Sequence, residues 1–216
     1  MGISQMLMKL AEGMATSCWI FGITLLFSLP LGMVIAFGRM SKKRIVQGIT
    51  KIYISIMRGT PLMLQLMVVY FGPYYLFGIK ISPFYRNIAV VIGFVLNYAA
   101  YFAEIYRSGI ESMPVGQYEA AEILGYSKSQ TFLHIILQQV IKRILPSVTN
   151  EVITLVKDTS LAFVIAVSEM FTIAKALASS QTSMVPYVAA GIFYYVFNFL
   201  VAWIMEKIEK HLSYYR

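Results

Sequence analysis

Three stretches of this sequence carry polar side chains at helical spacing inside long apolar runs. Asn97, Tyr101, Glu104 and Ser108 recur at intervals that place them on one helical face. Glu151, Thr154 and Asp158 form a second stripe, with Lys157 and Ser160 nearby. Ser55, Arg58, Leu62 and Gln65 form a third, beside Thr60 and Pro61. Such groups suit a small zwitterion. Its carboxylate needs a cation or helix-end amides, its ammonium needs a carboxylate, and hydroxyls and amides complete the shell. Asp158, Ser160, Thr60 and Asn97 are the candidates for the backbone end of such a ligand. Glu104 is the candidate for a cationic side chain, with Arg58, Lys157 and Tyr101 as further candidate contacts. Each has a plainer alternative. Lys157 and Asp158 can form a structural ion pair, Glu104 can pair with Arg107 or Arg58, and Arg58 can reach out to a membrane surface. Glu169 is expected near an outer surface, solvated.

The elements that must position these residues are membrane spans. Of 216 residues, 58% are hydrophobic and only 13% charged. A soluble domain of this size cannot hide that much apolar surface, whereas a bilayer solvates it. Five stretches approach the roughly 20 residues a span needs: about Thr16–Phe37, Ile52–Phe71, Asn87–Tyr106, Val148–Ile173 and Tyr187–Met205. The segment before the first span is amphipathic. It either lies in the interface or extends the first helix. Thirteen of the eighteen Lys and Arg residues, Arg216 in the tail among them, fall on one side of this layout. The excess of basic residues marks the cytoplasmic side, so the N-terminus is expected outside and the C-terminus inside. On the same ground the net charge of +8 reads as membrane topology, not nucleic-acid binding. The expected fold is all-α, a single integral membrane domain over residues 1–216.

Between the third and fourth spans lies EAAEILGYSKS, residues 119–129. Pro114 opens a helix, Gly125 stops it, and Ser127 with Gln130 fits a capping box for the next helix. Ala120 and Ala121 offer a low surface between Glu119 and Glu122, open to the approach of another backbone. No G-x-x-x-x-G-K-[ST] run is present, so no phosphate cradle of that kind is visible.

The stretch EAAEILGYSKSQTFLHIILQQ resembles the EAA loop of the membrane subunits of bacterial ABC importers. MRGTPLMLQLMVVYFGP (57–73), YFAEIYRSGIESMPVGQYEAAEILG (101–125) and LPSVTNEVITLVKDTSLAFVI (145–165) look like the polar amino-acid permeases of the histidine, glutamine and arginine uptake branch. The resemblance covers about residues 14–210. One departure is Gln138, where that family usually has proline. The resemblance implies a type I importer permease with five transmembrane helices, whose cytoplasmic coupling loop (about 111–143) docks on a separate ATPase through Glu119, Ala120, Ala121, Glu122 and Gly125. The implied partners are two ATPase copies holding ATP and Mg, a second permease subunit, expected as a homodimer, and an extracytoplasmic binding protein. The implied place is a bacterial inner membrane. The expected substrate is a polar amino acid, preferably basic (arginine, histidine or lysine), with glutamine or glutamate the alternative. The chain itself is expected to be neither an enzyme nor a holder of metal or cofactor. His134, His211 and Cys18 are too few and too far apart for a metal or nucleophile site. An ion-driven transporter usually shows repeated halves, and none is evident. A channel-like or scaffold subunit without ATP coupling is the alternative from a different class.

Overall fold

The computed structural model describes residues 2–212; Arg216, counted above, lies outside them. The described residues are helical with short connections. α1 (Ile3–Arg39), α2 (Arg44–Gly59), α3 (Leu62–Phe77) and α4 (Pro83–Glu111) precede the short α5 (Val115–Ile123). Then come one turn of α6 (Lys128–Gln130), a π-helical turn (Thr131–Ile136) and α7 (Leu137–Asp158). A 3-10 segment (Thr159–Ile165), α8 (Met170–Gln181) and α9 (Val185–Leu212) complete the chain.

Three helices, α1, α4 and α9, are long and apolar enough to cross a membrane, and two bent pairs bring the candidate spans to five. The amphipathic segment at the N-terminus extends α1 and does not form a separate helix. The second and fourth expected spans differ from expectation because each is broken. α2 and α3 meet at 110°. The cause is local: proline disfavours helical backbone at the residue before it, and Thr60 is extended (φ −123°, ψ 147°). Ser55 and Arg58 therefore do not share a continuous helical face with Leu62 and Gln65. In the fourth, the helix tightens after Asp158 into 3-10 geometry, Ala166 turns left-handed (φ 56°), and α8 leaves at 60° to the preceding segment.

Lipid is as apolar as leucine, so helices in a membrane associate by close backbone approach over small residues. α1 does this against α4. Ser17, Thr24, Ser28, Gly32 and Ala36 are buried along one side of α1, and Ala99, Ala100 and Ala103 are buried on α4. A Cβ on Gly32 would come 2.8 Å from the Phe102 Cβ and 3.1 Å from the Ala99 carbonyl oxygen. Gly93 gives way in the same manner to Leu66 of α3, and Gly109 to Ile144 of α7. α4 is thereby the hub of the fold, touching α1, α2, α3 and α7.

Glu169 is not solvated as expected. It is fully buried and caps α8, accepting from the Phe171 and Thr172 amides at 2.6 and 2.7 Å and from the Tyr194 hydroxyl at 3.1 Å. A carboxylate at a helix N-terminus satisfies amides that have no partner within the helix. That bonding offsets part of the cost of burying the carboxyl group.

Candidate functional site

The polar groups on α2, α4 and α7 do meet, but they sort into two sets. The first is a closed hydrogen-bonded cluster at the α2–α3 break. Ending α2 at Gly59 frees carbonyls that need donors. Gln65 Nε2 lies 2.9 Å from the Met57 carbonyl, 3.0 Å from the Thr60 carbonyl and 2.8 Å from Thr60 Oγ1. Asn97, which is buried, donates to the Met57 carbonyl at 3.1 Å and to Gln65 Oε1 at 2.9 Å. Thr60 Oγ1 in turn donates to the Ile56 carbonyl at 2.8 Å. Asn97 and Thr60 thus spend their donors holding the elbow in place.

The second set is partly open and carries charge. Asp158, half-buried at the end of α7, accepts a 2.7 Å hydrogen bond from the buried Tyr98 hydroxyl of α4. Lys157 is exposed and within electrostatic reach of Asp158 without a direct salt bridge to it; Ser160 Oγ donates to the Lys157 carbonyl at 2.8 Å. Glu151 lies two turns back from Asp158 on the same side of α7, half-buried, and makes no hydrogen bond or direct ion pair among the described residues. Arg58 rests over the Tyr101 ring, 5.3 Å from its centroid, within electrostatic reach of both Glu104 and Glu151. Glu104 is held by Arg107, which was one of its alternative partners. Tyr98 and Glu151 were missed as site candidates. Tyr98 reads as one more aromatic in an apolar run, and only the fold brings its hydroxyl to Asp158.

The hook between α4 and α7 has the expected punctuation. Pro114 precedes α5, and Gly125 adopts φ +78°. The Gly125 amide donates to the Glu122 carbonyl at 3.0 Å and the Tyr126 amide to the Ala121 carbonyl at 3.0 Å, closing the helix. Ser127 and Gln130 form the reciprocal capping box. One feature is corrected. Ala121 is not an open surface, since it is buried against the chain's own helices. The outward face consists of Glu119, Ala120 and Glu122 with Ile123 and Leu124, which are 86% and 74% exposed. The chain passes through Gln138 into α7 without a break.

An outward apolar handle on a many-helix membrane fold agrees with the known proteins that this chain matches. Residues 28–214 match the family of binding-protein-dependent transport system inner membrane components. The chain belongs to that family. It is 38% identical to the L-cystine transport system permease protein TcyL of Bacillus subtilis, covering 98% of this chain and 90% of that one. It is 36% identical to the arginine transport system permease protein ArtQ of the same organism, covering 94% and 91%. Among solved structures it resembles an amino acid ABC transporter crystallised with histidines, with a TM-score of 0.85, 28% identity and 94% of each chain covered. The chain is thus a permease subunit of an amino-acid ABC importer with the type I permease fold. Its relatives are permeases rather than ATPases. They are named for different amino acids at nearly equal identity, so resemblance does not choose the substrate.

Proposed function

We propose that this permease subunit carries basic amino acids, arginine foremost, across a bacterial inner membrane. The observation that carries the reading is the pair Glu151 and Asp158. Both are half-buried carboxylates on a membrane-embedded helix, and among the described residues neither is closed by a direct salt bridge, with Arg58 and Lys157 only within electrostatic reach of Glu151 and Asp158. A carboxylate at membrane depth is costly without a counter-ion. A substrate with two positive groups supplies what the chain leaves out. Asp158 receives the substrate ammonium with Ser160 beside it, Glu151 shares the side-chain cation with Glu104, Arg58 and Lys157 offer charge to the substrate carboxylate, and Tyr101 backs Arg58. Asn97 and Thr60 act through the elbow they hold. Glu104 takes the substrate's side-chain cation when Arg107 yields it.

Drive comes from a separate ATPase, two copies of which hold ATP and Mg and grip Glu119, Ala120, Glu122 and the Ile123–Leu124 edge of the hook. The loop 111–143 is on the cytoplasmic side, five spans place the N-terminus outside, and a second copy of the chain completes the pathway. An extracytoplasmic binding protein delivers the substrate, and alternating access moves it inward. The test is radiolabelled uptake into proteoliposomes carrying the permease with its co-purified ATPase, for arginine, lysine, histidine, glutamine and cystine. Uptake of the basic amino acids only with ATP, lost in Asp158→Asn, supports the reading. Preferred uptake of glutamine or cystine overturns the substrate, and uptake without ATP overturns the coupling.

A further inference from the structure

Arg107 occupies Glu104 completely. Its Nε donates to Glu104 Oε2 at 3.0 Å and its Nη2 donates to Glu104 Oε1, so one guanidinium takes both carboxylate oxygens. Its remaining Nη1 donates to Glu111 Oε2. The three residues lie at i, i+3 and i+7 on α4, where neighbouring turns bring their side chains together. They run from the polar face toward the hook end: Glu104 is 25% exposed and Glu111 53%. Arg39 and Arg58 are within electrostatic reach of Glu104, but neither donates a hydrogen bond to it among the described residues.

We infer that Arg107 is a specificity-determining residue, a resident guanidinium that occupies Glu104 in the empty permease and must withdraw when a cationic side chain binds there. The inference rests on the proposed reading of Glu104 as the receiver of that side chain. The planar fork of Arg107 matches a carboxylate in the way the side chain of a bound arginine would, and two guanidiniums cannot both take two oxygens of one carboxylate. Glu111 makes the exchange feasible. Arg107 keeps one charged partner when it lets go, so it never stands unpaired. A site that is free only part of the time binds with an affinity reduced by that fraction. Arg107 therefore weakens binding of basic amino acids and, by returning to Glu104, favours their release toward the hook side. A neutral substrate does not use Glu104 and is indifferent to the exchange.

The experiment is equilibrium binding of radiolabelled arginine to the permease–ATPase complex in nanodiscs without nucleotide. It compares wild type with Arg107→Gln, Arg107→Lys, Glu104→Gln and the Arg107→Gln/Glu104→Gln double variant. Losing a resident charge-assisted pair should tighten arginine binding about tenfold in Arg107→Gln. Arg107→Lys, with one point charge in place of the fork, should fall between. Glu104→Gln should bind weakly, and adding Arg107→Gln to it should change nothing. If Glu104→Gln weakens binding but neither Arg107 variant tightens it, Arg107 is only a helix-stabilising partner and the inference fails while the Glu104 reading stands. If Glu104→Gln binds like wild type, or if wild type and Arg107→Gln both fail to bind arginine, the Glu104 reading fails and the inference with it. Should Arg107→Gln not assemble, Arg107→Lys decides by the same sign.

Discussion

Gln117 of α5 and Gln139 of α7 exchange hydrogen bonds, each side-chain amide donating to the other's carbonyl oxygen at 2.9 Å. Gln139 Nε2 also lies 3.0 Å from the Ile135 carbonyl in the π-helical turn. The pair ties the hook to the helix that carries Glu151 and Asp158. Beneath it Met113 packs on Ile136 and Val140. Replacing either glutamine by alanine leaves the other amide short of a partner, at a cost of about 1–3 kcal/mol where the group is buried. We expect Gln117→Ala and Gln139→Ala each to lower amino-acid uptake per ATP hydrolysed. The double variant should be no worse than either single one, because one shared contact is lost once. Paired uptake and phosphate-release assays on the same proteoliposomes measure this.

Gly125 has room for a side chain but a backbone that disfavours one. A Cβ there would meet nothing within 4 Å, yet φ is +78°. For an ordinary L-residue the left-handed region costs about 1–2 kcal/mol, and least for asparagine. Gly125→Asn should keep uptake near wild type, whereas Gly125→Val should reduce the ATPase that co-purifies with the permease and the uptake it drives. Pull-down stoichiometry followed by uptake separates the two variants.

Gly32 presents the opposite case, with ordinary helical backbone and no room. The Phe102 Cβ and the Ala99 carbonyl stand where its side chain would be. Gly32→Leu should force α1 and α4 apart, at about 1–3 kcal/mol or more. The expected readout is a lower melting temperature of the detergent-solubilised chain. Gly22, with nothing within 4 Å of its Cβ position, serves as the control, since Gly22→Ala in a helix interior should not lower melting.

Tyr98 donates to Asp158 from a buried position on α4. Removing the hydroxyl in Tyr98→Phe deletes a hydrogen bond to a charged group, worth about 1.5–3 kcal/mol, while keeping the ring in the core. We expect substrate affinity to change in uptake titrations with little loss of expressed protein. An unchanged KM would mean that Asp158 is oriented by other contacts.

Much of this was legible in the chain itself. Apolar content is a property of the solvent a protein sits in, so it speaks directly. Gly125, Ser127 and Gln130 act through local backbone geometry, which a short window contains. The breaks were harder to read. Pro61 signalled the α2–α3 elbow, but an apolar run on either side concealed a 110° turn. The break after Asp158 has no proline or glycine to mark it, only Ala166 held left-handed, its carbonyl accepting from Arg86 at 3.0 Å. Glu169 looked like a surface charge because nothing near it in sequence reveals the Tyr194 hydroxyl that meets it from α9. Arg107 was visible as a partner for Glu104 because both lie within one turn of one helix. Tyr98 was not visible as a partner for Asp158, sixty residues away.

Charge, separated from shape, is the most direct measure of what the permease reads. Arginine and citrulline have nearly the same size and differ in the charge of the side-chain tip. ATP-driven uptake of radiolabelled arginine into proteoliposomes should be competed by unlabelled arginine or lysine. Citrulline at the same concentration should leave it almost untouched, because its side-chain tip gives Glu104 and Glu151 no charge to pair with. Equal competition by citrulline would contradict recognition of a cationic side chain by Glu104 and Glu151.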